Sequence, residues 1–242
     1  MSDVQTSQDL QTTNGTATPC ENQYMLDFLE NSEKLAKDKS SYDGEKEDEW
    51  PVEVIKVLKH INELDLRGAS RFVKVESDYY SWPLSVRTKR VNVPNTFHMT
   101  KCVIMENKRW KEEFKEDLNN FKMVCIFVQY EASIDCSKLT DFIRSFKTDG
   151  KPRSKKNFNF RLVNPELTKE LTGFDKFGVS PFGSTTALPI IMSKAITELN
   201  PPIISLGAGH PDWKLVMPVD KIISGLNCIV GDVSIPKPES SE

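Results

Sequence analysis

Histidine, cysteine and long apolar runs are all scarce in this 242-residue chain. The three histidines, His60, His98 and His210, form no HxxxH or HExxH pair, so they build no helical metal site. The five cysteines (Cys20, Cys102, Cys125, Cys136, Cys228) are odd in number and never fall in CxxC spacing. That argues against a zinc ribbon and a disulfide framework, and for a reducing compartment. No Walker A loop, no GxGxxG after a strand and no GxSxG elbow occurs. A serine hydrolase built on Ser180 and His210 has nothing to recommend it. The longest apolar run, Met123 to Val128, falls far short of the ~20 residues of a membrane span. The first residues have neither the basic-then-apolar pattern of a signal peptide nor an Arg-rich transit pattern. The expectation is a cytoplasmic protein with no membrane partner.

Hydrophobic residues make up 38% of the chain, low for a wholly globular protein and consistent with an unfolded portion. Charge is divided unevenly. Residues 1–50 carry 12 acidic and 4 basic side chains, whereas residues 51–231 carry 27 basic and 20 acidic. A basic body behind an acidic leader permits a polyanionic ligand, although a solvated surface explains the same balance. The Ser/Thr/Gln/Asn-rich start, to about Thr18, cannot bury enough apolar surface to offset its ordering entropy. A short amphipathic helix is expected around Tyr24–Leu29, followed by an acidic linker over Asp43–Glu49. The division is therefore an acidic, largely disordered leader (1–49), one domain (50–233) and an acidic tail (234–242).

Within the domain, Val54, Ile55, Val57, Leu58, Ile61 and Leu64 form a helical stripe over Pro51–Leu64. Lys122–Tyr130 reads as a central strand. Ser137–Phe146 is an amphipathic helix with Leu139, Phe142, Ile143 and Phe146 on one face. Strands are expected at Arg71–Val75, Thr100–Met105, Phe158–Val163, Leu188–Met192, Pro202–Leu206 and Lys214–Met217. Helices are expected at Leu84–Val93, Pro165–Leu171 and Val219–Leu226, with Gly173 capping the second. The irregular alternation points to one mixed α/β domain. His60, among charged neighbours, is expected at the surface, and His98 in a structural role. Lys151, Arg153, Lys155 and Lys156 crowd a Pro-containing basic loop; it is either solvated or in contact with phosphate.

Two Gly/Pro loops stand out: Gly178-Val179-Ser180-Pro181 and Gly207-Ala208-Gly209-His210-Pro211. Glycines there let backbone N–H groups approach an oxygen ligand, and two tight turns have the same spacing. Leu171-Thr172-Gly173-Phe174, then Gly178-Val179-Ser180-Pro181-Phe182-Gly183, then Leu206-Gly207-Ala208-Gly209-His210-Pro211, in that order, resemble the YbaK family. This family includes the insertion domain of bacterial prolyl-tRNA synthetases and its free-standing relatives. Met99-Thr100-Lys101-Cys102-Val103-Ile104 is similar to its lysine-bearing strand. The resemblance covers about Trp50 to Val233.

That resemblance implies a mixed, partly barrel-like sheet surrounded by helices. It also implies hydrolysis of the ester between a wrong amino acid and the 3′ end of a tRNA, with no metal or cofactor. Because no synthetase domain accompanies the region, the implied activity is trans-editing by a free-standing deacylase. The other implied reading is an inactive module that binds tRNA or an aminoacyl-tRNA synthetase. By the resemblance, Lys101, Gly178 and His210 are catalytic and line one cavity. Phe177, Val179, Ser180, Pro181, Gly207, Ala208, Gly209 and Pro211 bind substrate, and the Lys151–Lys156 cations touch the tRNA backbone. One departure bears either on which amino acid fits or on whether catalysis survives: where the family has the glycine of GxxxP, four residues before Pro181, this chain has Phe177.

Overall fold

The computed structural model describes residues 19–115, 120–146 and 153–238. In chain order its helices are α1 (Pro19–Lys37), α2 (Val52–Glu63), α3 (Leu84–Arg90), α4 (Cys136–Ser145), α5 (Pro165–Thr172), α6 (Lys194–Thr197) and α7 (Val219–Leu226). The strands are β1 (Arg71–Lys74), β2 (Thr100–Asn107), β3 (Met123–Gln129), β4 (Ala132–Ile134), β5 (Phe160–Leu162), β6 (Ile190–Ser193), β7 (Ile203–Gly207), β8 (Trp213–Pro218), β9 (Ile229–Gly231) and β10 (Ser234–Pro236).

The strands form three sheets, ordered β5-β2-β3-β6-β9, β1-β8-β7 and β10-β4. In the largest, β2 pairs antiparallel with β3 and β5, while β6 pairs parallel with β3 and β9. The fold is thus mixed α/β. A parallel bridge between Met99 and Ser205 leads the start of β2 onto β7, reinforced by Thr100 Oγ1 donating to Ser205 O at 2.9 Å. The sheets meet there without closing into a barrel among the described residues.

Alternation along the strands explains the layers. In β3, Cys125 and Phe127 face the core under α2, while Val124 and Ile126 face Leu139 and Ile143 of α4. Both faces are covered, so the strand reads as a continuous apolar run rather than an alternating one. In the three-stranded sheet, Phe72, Leu215 and Ile204 point towards the stripe of α2. Their neighbours Val73, Val216 and Ile203 point to the opposite face, where Phe28 of α1 packs. Local chemistry sets the helix ends. Asp135 caps α4 by accepting from Ser137 N and Lys138 N at 2.8 and 3.0 Å. Asn164 caps α5 ahead of Pro165, and Gly173 ends it at φ 78°.

The leader needs correction. Residues 19–49 are structured. Phe28 is buried, and Arg71, itself buried, lies 4.8 Å from its ring and 4.9 Å from that of Tyr42. The expected acidic linker is tied to the body by three ion pairs: Asp43–Arg90 (2.9 Å), Glu45–Lys74 (3.2 Å) and Glu47–Arg67 (2.9 Å). Composition suggested a linker because each acid found its partner only in the folded chain. The expected disorder before residue 19 and the last four residues of the tail lie outside the described residues.

Candidate active site

β2 carries Lys101, the turn Tyr79–Ser81 supplies Tyr79 and Tyr80, and α3 supplies Arg87. Tyr130 follows β3, and Lys214 is the second residue of β8. With Lys176, Phe177, Val179 and Gly207 from the two glycine loops, these residues line a cavity of about 350 Å³. Its apolar wall includes Ile104, Leu162, Val163 and Leu206.

The cavity's charge is one-sided. Lys101, Arg87, Lys176 and Lys214 all line it, and no Asp or Glu does. None of the four forms an ion pair among the described residues. Tyrosine rings, not carboxylates, lie beside three of them. Lys101 Nζ is 5.7 Å from the Tyr130 centroid. The Arg87 guanidinium is 5.1 Å from that ring and 5.6 Å from Tyr80. Lys214 Nζ is 4.7 Å from Tyr80. Such contacts stabilise cations without neutralising them.

Burial sets the protonation states. It pushes Lys214 down to about 7; Asp212 opposes the shift and Arg87 adds to it. Lys214 Nζ donates to Pro211 O at 2.5 Å and Trp213 O at 3.1 Å. Burial, with Lys237 nearby, also lowers Lys101. Burial raises Tyr79, Tyr80 and Tyr130, so these phenols keep their protons at neutral pH.

The expected site residues divide. Lys101, Phe177, Val179 and Gly207 line this cavity. Ser180 and Pro181, with Val179 and His60, line a second one of about 410 Å³. Gly178, Ala208, Gly209, His210 and Pro211 line neither. His210, expected in the cavity, instead braces its own turn: its Nδ1 accepts from Asp212 N at 3.1 Å. The glycine N–H groups expected to face an oxygen ligand are donated within the protein, Gly178 to Asp175 O (3.0 Å) and Gly209 to Gly178 O (2.8 Å). These glycines allow the loops to touch. A Cβ on Gly178 would lie 2.5 Å from Gly209 O, and one on Gly207 would collide with Val179 O. Ala208 is fully buried.

His60, expected at the surface from its charged neighbours, is half-buried; its Nδ1 accepts from Gly183 N at 2.9 Å and binds α2 to the first loop. His98 is structural: buried, with its ring nitrogens 2.9 Å from Asn95 Oδ1 and 3.1 Å from Pro201 O. Of the basic loop, Lys151 lies outside the described residues. Arg153 packs 5.7 Å from the Phe114 ring. Lys155 pairs with Asp141 at 2.8 Å, and Lys156 is exposed. None of these three lines the cavity.

Sequence reasoning missed Lys214, Arg87, Tyr79, Tyr80 and Tyr130. The signal for Lys214 was a lone cation in the otherwise apolar stretch Trp213–Pro218, every residue of which is buried. No group of three His, Cys, Asp or Glu suited to a metal occurs among the described residues. No helix there is long and apolar enough to cross a membrane.

No family model and no curated protein matches the chain. Solved structures do. One, described as a candidate trans-editing enzyme for prolyl tRNA synthetase, aligns with TM-score 0.59 at 16% identity, over 77% of this chain and 99% of its own. Another, a scaffold protein carrying a computationally grafted epitope, aligns with TM-score 0.58 at 13% identity, over 78% of this chain and 100% of its own. At these identities the likeness is one of fold. The fold expected from the loop motifs is therefore the fold found.

Proposed function

We propose that this chain hydrolyses the ester of a mischarged aminoacyl-tRNA, acting in trans. The observation that carries the proposal is the cavity between the glycine loops, with four cations and no carboxylate. An ester attached to RNA brings phosphates to such a site, and its hydrolysis develops an oxyanion that a cation stabilises. Lys101 takes that position. With the N–H groups of Gly178 and Gly209 occupied, side-chain cations supply the stabilisation. No Asp, Glu or His lines the cavity, so the proton of the attacking water goes to Lys214, whose amine is half neutral near pH 7. It then passes to the departing ribose oxygen.

The test is release of the amino acid from a panel of mischarged tRNAs by the wild-type protein and Lys101→Ala. Removing such a positioned group costs roughly 10²–10³ in rate. Equal turnover by Lys101→Ala would refute the assignment. Binding without hydrolysis is the second reading, favoured by the occupied backbone donors. Mischarged tRNA that binds yet releases nothing above background would establish it.

A further inference from the structure

Phe177 has a backbone conformation that its side chain opposes. Its φ is +72°, in the left-handed region, which bulky residues rarely adopt and glycine adopts freely. Glycines occupy such positions on either side of it, Gly173 at φ 78° and Gly183 at φ 72°. Two contacts hold Phe177 there. Tyr80 Oη donates to Phe177 O at 2.8 Å. The two rings stack with centroids 4.1 Å apart and planes 24° from parallel. Yet Phe177 remains 46% exposed, so burial does not explain an aromatic at this position. Backbone strain that the surroundings over-determine clusters at ligand clamps.

The ring also has a specific setting. Phe177 and Tyr80 both line the cationic cavity, and the exposed Lys176 lies over the Phe177 ring with Nζ 4.8 Å from its centroid, so a base stacking there takes the place of that ammonium. A flat, half-exposed aromatic beside unpaired cations matches an unpaired nucleobase with its phosphate: the base stacks on the ring and the cations meet the backbone. We propose that the Phe177–Tyr80 pair is a stacking platform for the terminal base of an RNA strand, with Lys176 beside the adjoining phosphate. This deepens the reading of the cavity as a site for an RNA-linked ester, and rests on it. It gives Phe177 a role that the glycine it replaces could not perform.

The experiment measures affinity of the full chain for a fluorescent RNA stem-loop ending in unpaired ACCA, and for the same RNA with an abasic 3′-terminal residue. Stacking on an aromatic is worth about 5- to 160-fold per base, so wild type should prefer the intact end by such a factor. Phe177→Ala and Phe177→Gly should bind both RNAs alike, and Phe177→Trp should keep the preference. Phe177→Gly relieves the backbone, so its loss of preference is not a folding failure. The platform is overturned if wild type binds the two RNAs equally or binds neither. It is equally overturned if Phe177→Gly keeps the full preference, or changes only which amino acid is released. Turnover of mischarged tRNA, measured separately, distinguishes the two ideas. Turnover without end preference removes the platform alone. End preference that vanishes in Phe177→Gly, with no turnover, removes the hydrolase reading alone.

Discussion

Lys214 makes protein stability depend on pH in a way that one substitution should abolish. Its amine titrates near 10.5 when solvated and is pushed down to about 7 in the fold. Between those values the unfolded chain holds a proton that the folded chain lacks. Stability therefore rises with pH across this window, at up to about 1.4 kcal/mol per unit. Below pH 7 the folded protein carries the full penalty, and above 10.5 none. At pH 7 the penalty is about 4 kcal/mol, and at pH 10 about 1 kcal/mol. Lys214→Met removes it but takes the donor from Pro211 O, at a cost of about 1–3 kcal/mol. Trp213 O keeps the N–H of Ala208 at 3.3 Å. The variant should thus be more stable than wild type at pH 7 by about 1–3 kcal/mol, and no more stable at pH 10. Denaturant unfolding of both proteins at pH 7, 8, 9 and 10 measures the difference, in which other titrating groups cancel. Parallel curves would refute the argument. If Lys214 also accepts the water's proton, wild-type turnover should rise with pH through about 7, and Lys214→Met should lose both the rise and most of the rate.

Gly209→Ala should destabilise by roughly 2–4 kcal/mol, because φ +95° strains any side chain and the new Cβ would lie 2.5 Å from Glu53 O; an unchanged melting temperature would contradict it. Replacing Lys151, Arg153, Lys155 and Lys156 together by alanine should weaken tRNA binding and flatten its salt dependence, by about one unit of slope for each phosphate no longer neutralised. Lys155 should contribute less than the exposed Lys156, since Asp141 already holds it. Superimposable salt plots would show the loop to be merely solvated.

What was legible in the sequence depended on how local the cause was. β3 stood out because burial of both faces writes an uninterrupted apolar run. The end of α5 stood out because Asn164, Pro165 and Gly173 act within a turn of where they sit. The strands β4, β9 and β10, each three residues long, are too short for alternation to register and exist through their partners. The leader was misread because the environments of Glu47, Glu45 and Asp43 are made by Arg67, Lys74 and Arg90, distant in sequence. Of the lysines lining the cavity, Lys101 was singled out through a motif, whereas Lys214 was marked only as a lone cation in an apolar strand. His210 was placed by its motif at the cavity, but its ring serves the turn that the same motif forms.

Both glycine loops lean on the same object. A Cβ on Gly183 would lie 2.7 Å from Lys56 O, and one on Gly209 2.5 Å from Glu53 O, both carbonyls of α2. Gly178 and Gly209 meet directly through their backbones. The helix therefore serves as a common datum from which both jaws of the cavity are measured. This shared packing opposes movement of one jaw against the other, so the backbone around the mouth is ordered by the fold itself. Selectivity in such a molecule is changed by exchanging the side chains mounted on the jaws, and ligand binding costs little further ordering of the backbone.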